Sequence, residues 1–141
     1  MPGSYLLHST RNLVISRGWD ILTLADLLTH ARALRGDPGF VPSFRQIVDL
    51  RDVTDLEIDA SGIRQIADES PFGAGASRAI VVKSDVNYGL ARMFQMLRAH
   101  APDEIQIFRD MSPALAWLGL TQDQSAIEAA LAEMPRVALT E

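Results

Sequence analysis

Three short strand-like runs, each followed by a helix start, constrain this chain more than any other feature. They are Ile-Val-Asp-Leu at 47–50, Ala-Ile-Val-Val at 79–82 and Glu-Ile-Gln-Ile-Phe at 104–108. The first two show little polar alternation, so they read as strands covered on both faces. After the first, Ile63, Ile66 and Ala67 mark one face of a short helix that Pro71 ends. After the second, Ser84 caps a helix with Val86, Leu90, Met93, Phe94 and Leu97 on its buried face and Gly89 allowing close approach to a neighbour. After the third, Ser112-Pro113 puts a cap and a proline at a helix start, and Gly119 ends that helix. Alternation of this kind implies parallel pairing through right-handed crossovers, a βαβαβα core in which the strands around Val48, Val81 and Ile107 are neighbours.

The flanking segments complete an α/β reading with a mixed sheet. Residues 5–7 and 12–18 form an N-terminal antiparallel strand pair joined through Ser9-Thr10-Arg11. Thr23 caps a helix whose stripe is Leu24, Leu27, Leu28, Ala31 and Leu34, with Asp26 at the third position and Gly36 past the end. Gly73 to Ser77 read as a flexible connection, and Thr121 with Gln124 as a capping box for a last helix carrying Ile127, Ala130, Leu131 and Met134, stopped at Pro135. No repeat or linker divides the 141 residues, so 1–141 is expected to be one domain.

Composition narrows the partners. A net charge of −5 with scattered Lys and Arg argues against nucleic acid and against an anionic membrane. Cysteine is absent, which removes disulfides, thiolate nucleophiles and Cys-ligated zinc together. The first twelve residues lack a cationic start followed by a long apolar run, and no stretch approaches eighteen apolar residues; the expectation is a cytoplasmic protein.

In such a sheet the carboxyl ends of the strands and the amino ends of the following helices meet at one edge, where ligands and partners are usually found. That edge is expected to carry 49–61, 84–88 and 109–112. Asp49, Asp52, Asp55, Glu57 and Asp59 read as an acidic loop leading into a helix. They lack the spacing and glycine of a calcium loop, so solvated and capping roles are expected instead of a metal site. His8, His30 and His100 are too scattered for a metal site and read as structural, His30 on the polar face of its helix. There is no Gly-x-Ser-x-Gly elbow, and Gly73-Ala74-Gly75 precedes a strand instead of opening a helix, the wrong context for a phosphate loop. Tyr88 and Arg92, four apart, are expected opposite the apolar stripe, with Arg109 and Asp110 emerging beside Ser84 and Asp85.

The segments DLRDVTDLEIDASGI, AIVVKSDVNYGLARMFQML and IQIFRDMSPALAWLG together resemble the STAS/SpoIIAA-like superfamily of small bacterial proteins over nearly the whole chain. In the STAS members an Asp-Ser-Ser/Thr-Gly motif starts the helix after a central strand, and its first Ser is phosphorylated by a partner kinase. Here Asp59, Ser61 and Gly62 match, while Ala60 stands at the acceptor position and has no hydroxyl. The likeness is closer to a SpoIIAA-like branch with Ser-Asp-x-x-Tyr-Gly-x-x-Arg-Met-Phe and Phe-Arg-Asp-x-x-x-Ala-x-x-Trp-Leu patterns, present at 84–94 and 108–118. The resemblance implies no catalytic activity and no cofactor. It implies a regulatory module that docks an unidentified protein partner without a phosphoserine switch, through Asp59, Ser61, Ser84, Asp85, Tyr88, Arg92, Arg109 and Asp110. The alternative is a carrier or sensor holding an apolar or amphipathic molecule beneath the 84–97 helix, with Tyr88, Arg92 or Arg109 at the polar end. The broad apolar arc of that helix, flanked by Phe94 and Met96, points to a homodimer.

Overall fold

The structure, a computed structural model, describes residues 3–134. The expected stop at Pro135 lies outside them. Strand β1 (Gly3–His8) turns through one 3-10 turn at Ser9–Arg11 into β2 (Leu13–Thr23). The two pair antiparallel, with Gly3 opposite Gly18 and His8 opposite Leu13. There follow α1 (Leu24–Gly36), β3 (Arg45–Glu57), α2 (Ala60–Asp68), β4 (Ser77–Val81), α3 (Asp85–Leu97), β5 (Glu104–Phe108), α4 (Met111–Trp117) and α5 (Gln124–Glu133). The five strands lie in sequence order. Val48 sits beside Ile80, and Ile80 beside Ile107, all in parallel register, as the alternation predicts. β2 is also parallel to β3, so α1 is a crossover helix too and only β1 runs the other way.

Strand periodicity divides the molecule into two layers. Leu13 and Ile15 of β2, Ile47 of β3 and Ala79 and Val81 of β4 point to one face. There they meet Met111, Leu115 and Leu118 around α4 and Ile127 and Leu131 of α5 in one apolar cluster. The intervening residues face α1, α2 and α3, where the core is split into two clusters, one around Leu34, Phe44 and Phe72 and one around Ile80, Ala91 and Ile107.

Several local expectations are corrected. The acidic segment is not a loop: β3 continues to Glu57, paired with β2 from Asp52 beside Trp19 to Glu57 beside Thr23. Backbone partners offered by β2 outweigh the poor strand propensity of aspartate. On α3, Val86 and Met93 are exposed, and the buried positions are Asn87 and Ala91. Gly89 has no neighbour within reach of a Cβ, so it serves no close approach. The helix is rolled relative to the expected stripe because Asn87 turns inward, its Nδ2 donating to the Val53 carbonyl at 3.2 Å. α4 begins at Met111, not at Pro113, since Met111 is drawn into the core. Pro113 then falls within the first turn, where its missing N–H costs nothing. The Thr121–Gln124 box does not form: Thr121–Asp123 is a 3-10 turn, and the Gln124 amide donates to Ser112 Oγ (2.9 Å) and Glu128 (3.0 Å). The box at Thr23 and Asp26 is present in full. The 73–77 connection is anchored, Gly73 N–H donating to the Pro42 carbonyl at 2.9 Å and Ala76 lying buried.

Candidate functional site

Beyond Asp49, β3 leaves β4 and stays paired only with β2. The pairing slips register between Arg17 and Trp19 and again at Asp20, whose φ is 58°. These irregularities bend the two-strand ribbon, as bulges do. At Gly18 the bend is tight: a Cβ there would come within 2.8 Å of a Leu22 methyl. The bent ribbon is one wall of a cavity of about 290 Å³, to which it contributes Leu22, Leu50 and Leu56. Ile63 and Ile66 of α2 and Leu90 of α3 supply much of the rest. Val48 and Leu50 sit on a central strand yet are only half-buried, because part of their surface faces this void.

A row of polar side chains crosses the sheet at the cavity floor. Ser16 on β2, Gln46 on β3 and Arg78 on β4 all occupy inward strand positions and line the space together with His30 of α1. Gln46 Nε2 donates to Ser16 Oγ (3.0 Å), Arg78 Nε donates to Gln46 Oε1 (3.0 Å), and Ser16 Oγ lies 3.0 Å from His30 Nε2. Arg78 Nη1 also donates to Ser70 Oγ (3.1 Å) and to Asp103 (3.2 Å), whose other oxygen accepts from Arg98. The Arg78 guanidinium lies 4.2 Å from the centre of the Phe72 ring and 5.4 Å from that of Phe94. Burial lowers its pKa to about 10, opposed by Asp103, so it stays charged at neutral pH. His30 is pushed down to about 4 by burial and then by the Arg78 charge, which leaves it neutral. It stands edge-on to Tyr5, whose hydroxyl donates to Asp37 at 2.9 Å. His30 therefore faces the interior, not the polar side of its helix.

The residues expected to form a partner edge are partly brought together. Arg109 pairs with Asp85 (2.8 Å), and its guanidinium lies 4.6 Å from the centre of the Tyr88 ring. Arg109 and Asp110 line a second, polar depression with Arg51, Asp52 and Lys83. Tyr88 is half-buried against the β4–β5 cluster, not opposite the apolar face, because α3 is rolled. Arg92 is exposed and bonds Gln95 along its own helix. Ser84 caps α3, accepting from Asn87 N–H at 3.1 Å. Asp59 caps α2, accepting from Gly62 N–H at 2.8 Å, with Ala60 the first helical residue and Ser61 exposed beside it. A Cβ at Gly62 would lie 2.9 Å from Ile58, so the motif's glycine is required for packing. Of the other acids, Asp49 is buried against Arg51 (2.9 Å) along β3, and Asp52 pairs with Arg17 (2.7 Å) across to β2. Among the described residues no group of three or more His, Asp or Glu is placed to hold a metal ion, and no helix is long and apolar enough to cross a membrane.

Sequence reasoning missed the polar row. Its signal was strand parity: Gln46 shares parity with Val48 and Leu50, and Arg78 with Ile80 and Val82. Both faces of these strands are apolar, which hid which parity carried the site.

No protein-family model and no curated protein matches the sequence. In three dimensions the chain is similar to an uncharacterised protein of the DUF3478 family with a SpoIIAA-like fold from Shewanella loihica PV-4. The TM-score is 0.55 and the identity 16%, over 82% of this chain and 93% of that one. With its sheet order and crossovers in agreement with the resemblance read from the sequence, this chain has the SpoIIAA-like fold.

Proposed function

We propose that the protein is a non-catalytic regulatory module that takes up a small amphipathic molecule beneath α1, α2 and α3. The observation that carries this reading is the cavity of about 290 Å³, largely apolar on its walls with a polar row across its floor. That combination of apolar lining and a few fixed polar groups is the usual build of a ligand site. The polar end is Arg78 with Gln46, Ser16 and His30, in place of the Tyr88, Arg92 or Arg109 expected from sequence.

Docking of a protein partner at the carboxyl edge is the second reading. It is supported by the Asp85–Arg109–Tyr88 cluster and by exposed Val86, Met93 and Met96 on α3, the helix of Asp85 and Tyr88. Such docking would proceed without a phosphoserine switch, since Ala60 stands at the acceptor position.

Native mass spectrometry of protein purified from its own host, followed by extraction under denaturing conditions, tests both. A discrete small-molecule mass increment that disappears in Ala91→Phe, which fills the cavity, is the expected result. An empty cavity combined with stoichiometric capture of one protein, by native protein and Ala91→Phe alike, would move the assignment to the edge.

A further inference from the structure

We infer that the cavity selects a small apolar monocarboxylate whose head group lies against Arg78, an inference that rests on the ligand-holding reading above. Charge is the first ground. Arg78 and Arg98 share one carboxylate, Asp103, and all three side chains are largely buried. The cluster therefore keeps one positive charge that no neighbouring anion balances. Asp26 also lines the cavity and carries a charge of its own, but its Oδ2 accepts from the Thr23 N–H (3.0 Å) and hydroxyl (3.1 Å), and the partners of Arg78 are Gln46, Ser70 and Asp103 instead. A single negative charge beside Arg78 neutralises the cluster; a phosphate dianion would overshoot it.

Donor geometry is the second ground. Arg78 spends Nε on Gln46 and Nη1 on Ser70 and Asp103, whereas Nη2 makes no hydrogen bond among the described residues. Arg78 is 8% exposed and lines the cavity. Ser16 Oγ accepts from Gln46 and lies 3.0 Å from His30 Nε2, where its own hydrogen can be given to the ring. With Ser16 donating, the neutral ring of His30, which lines the cavity, carries its proton on Nδ1 and offers a second donor. One guanidinium N–H and one imidazole N–H suit the two oxygens of a carboxylate.

Size is the third ground. At the roughly 30 Å³ that a water-sized group occupies, about 290 Å³ holds about ten heavy atoms. Octanoate, eight carbons and two oxygens, is a probe of that size, and octan-1-ol matches its chain without the charge.

Isothermal titration of the intact protein at neutral pH compares the two probes, with uptake of the uncharged dye Nile red reporting on the cavity itself. Octanoate is expected to bind about tenfold to a hundredfold tighter than octan-1-ol, the range of a charge-assisted hydrogen bond. Arg78→Met should remove the preference while keeping octanol binding, and Ala91→Phe should abolish both. The wild-type pair decides the matter even if Arg78→Met fails to fold. Equal affinity for the two probes, or dye uptake without octanoate binding, overturns the carboxylate inference and leaves the cavity reading standing. Absence of binding by all three probes, or octanoate binding unchanged in Ala91→Phe, overturns both.

Discussion

The two faces of the sheet are made from alternate residues of the same strands, yet they are built to different standards. Toward α4 and α5, Ile47, Val81, Ala114 and Leu115 have essentially no exposed surface, and the cluster is continuous from Leu13 to Leu131. Toward α1, α2 and α3 the apolar clusters are separated, a polar row crosses the floor, and a cavity remains. Close-packed interiors leave few voids larger than water, so the first face is packed throughout and the second gives up some packing for space. One strand parity is close-packed while the other leaves room beside its polar row.

The sharpest way to break this comparison is to unbalance the polar side. Asp103→Asn would leave Arg78 and Arg98 without their counter-charge. A loss of about 3–5 kcal/mol in urea unfolding is expected, the usual cost of breaking a buried pair. A loss below about 1 kcal/mol would mean that the row is hydrated and not part of the scaffold.

A smaller contrast compares the faces directly. Leu115→Ala on the dry face should cost about 2–5 kcal/mol, and Leu90→Ala beside the cavity less than about half as much, because atoms lining a void have fewer neighbours to lose. Equal costs would remove the distinction between the faces.

Acid titration sharpens it further. Folded His30 holds its proton with a pKa of about 4, against an ordinary 6.5 when unfolded. Between those values the unfolded chain binds more protons, so the His30 contribution to stability falls as pH drops from about 6.5 toward 4 and is flat above. The decline is a few kcal/mol at most, trimmed by the partial exposure of the ring. His30→Gln should flatten the stability curve across that window; an unchanged slope would place the histidine in water.

The smallest effect concerns the outer surface of α3. Met96 is 67% exposed, so Met96→Glu should change stability by no more than about 0.5 kcal/mol. Sedimentation of wild type and variant then tests the expected homodimer. Phe94, the other supposed flank of that arc, is packed inward against the cluster and takes no part.

Strand and helix order was legible because apolar runs, caps and breakers recur in alternation, and tertiary packing had no reason to override them. The end of α1's first turn at Asp26, the span of β5 and the motif helix after Asp59 were all readable in this way. The cavity was not. Its polar floor is formed by Ser16, Gln46 and Arg78, residues 30 and 32 positions apart in sequence that only strand register brings side by side. The outer half of β3 was hidden for a different reason. A stretch as acidic as Asp52 to Glu57 has the composition of a loop, and only its neighbour β2 makes it a strand.

That outer half has a consequence for how the protein behaves at high concentration. Past Gly18 on one side and Asp49 on the other, β2 and β3 pair only with each other among the described residues, so most of the ribbon's outer backbone has no ladder partner, the Val53 carbonyl being held by Asn87. Open margins invite strands from other molecules. Asp52, Asp55 and Glu57 stand exposed along this stretch of β3, while the left-handed Asp20 kinks β2. Like charges set against a second copy of the same ribbon repel, and a kinked margin cannot be extended by a flat strand. Carboxylates whose composition reads as a solvated loop thus set charge along a two-strand wall that bounds a cavity, an arrangement that disfavours pairing with a second copy.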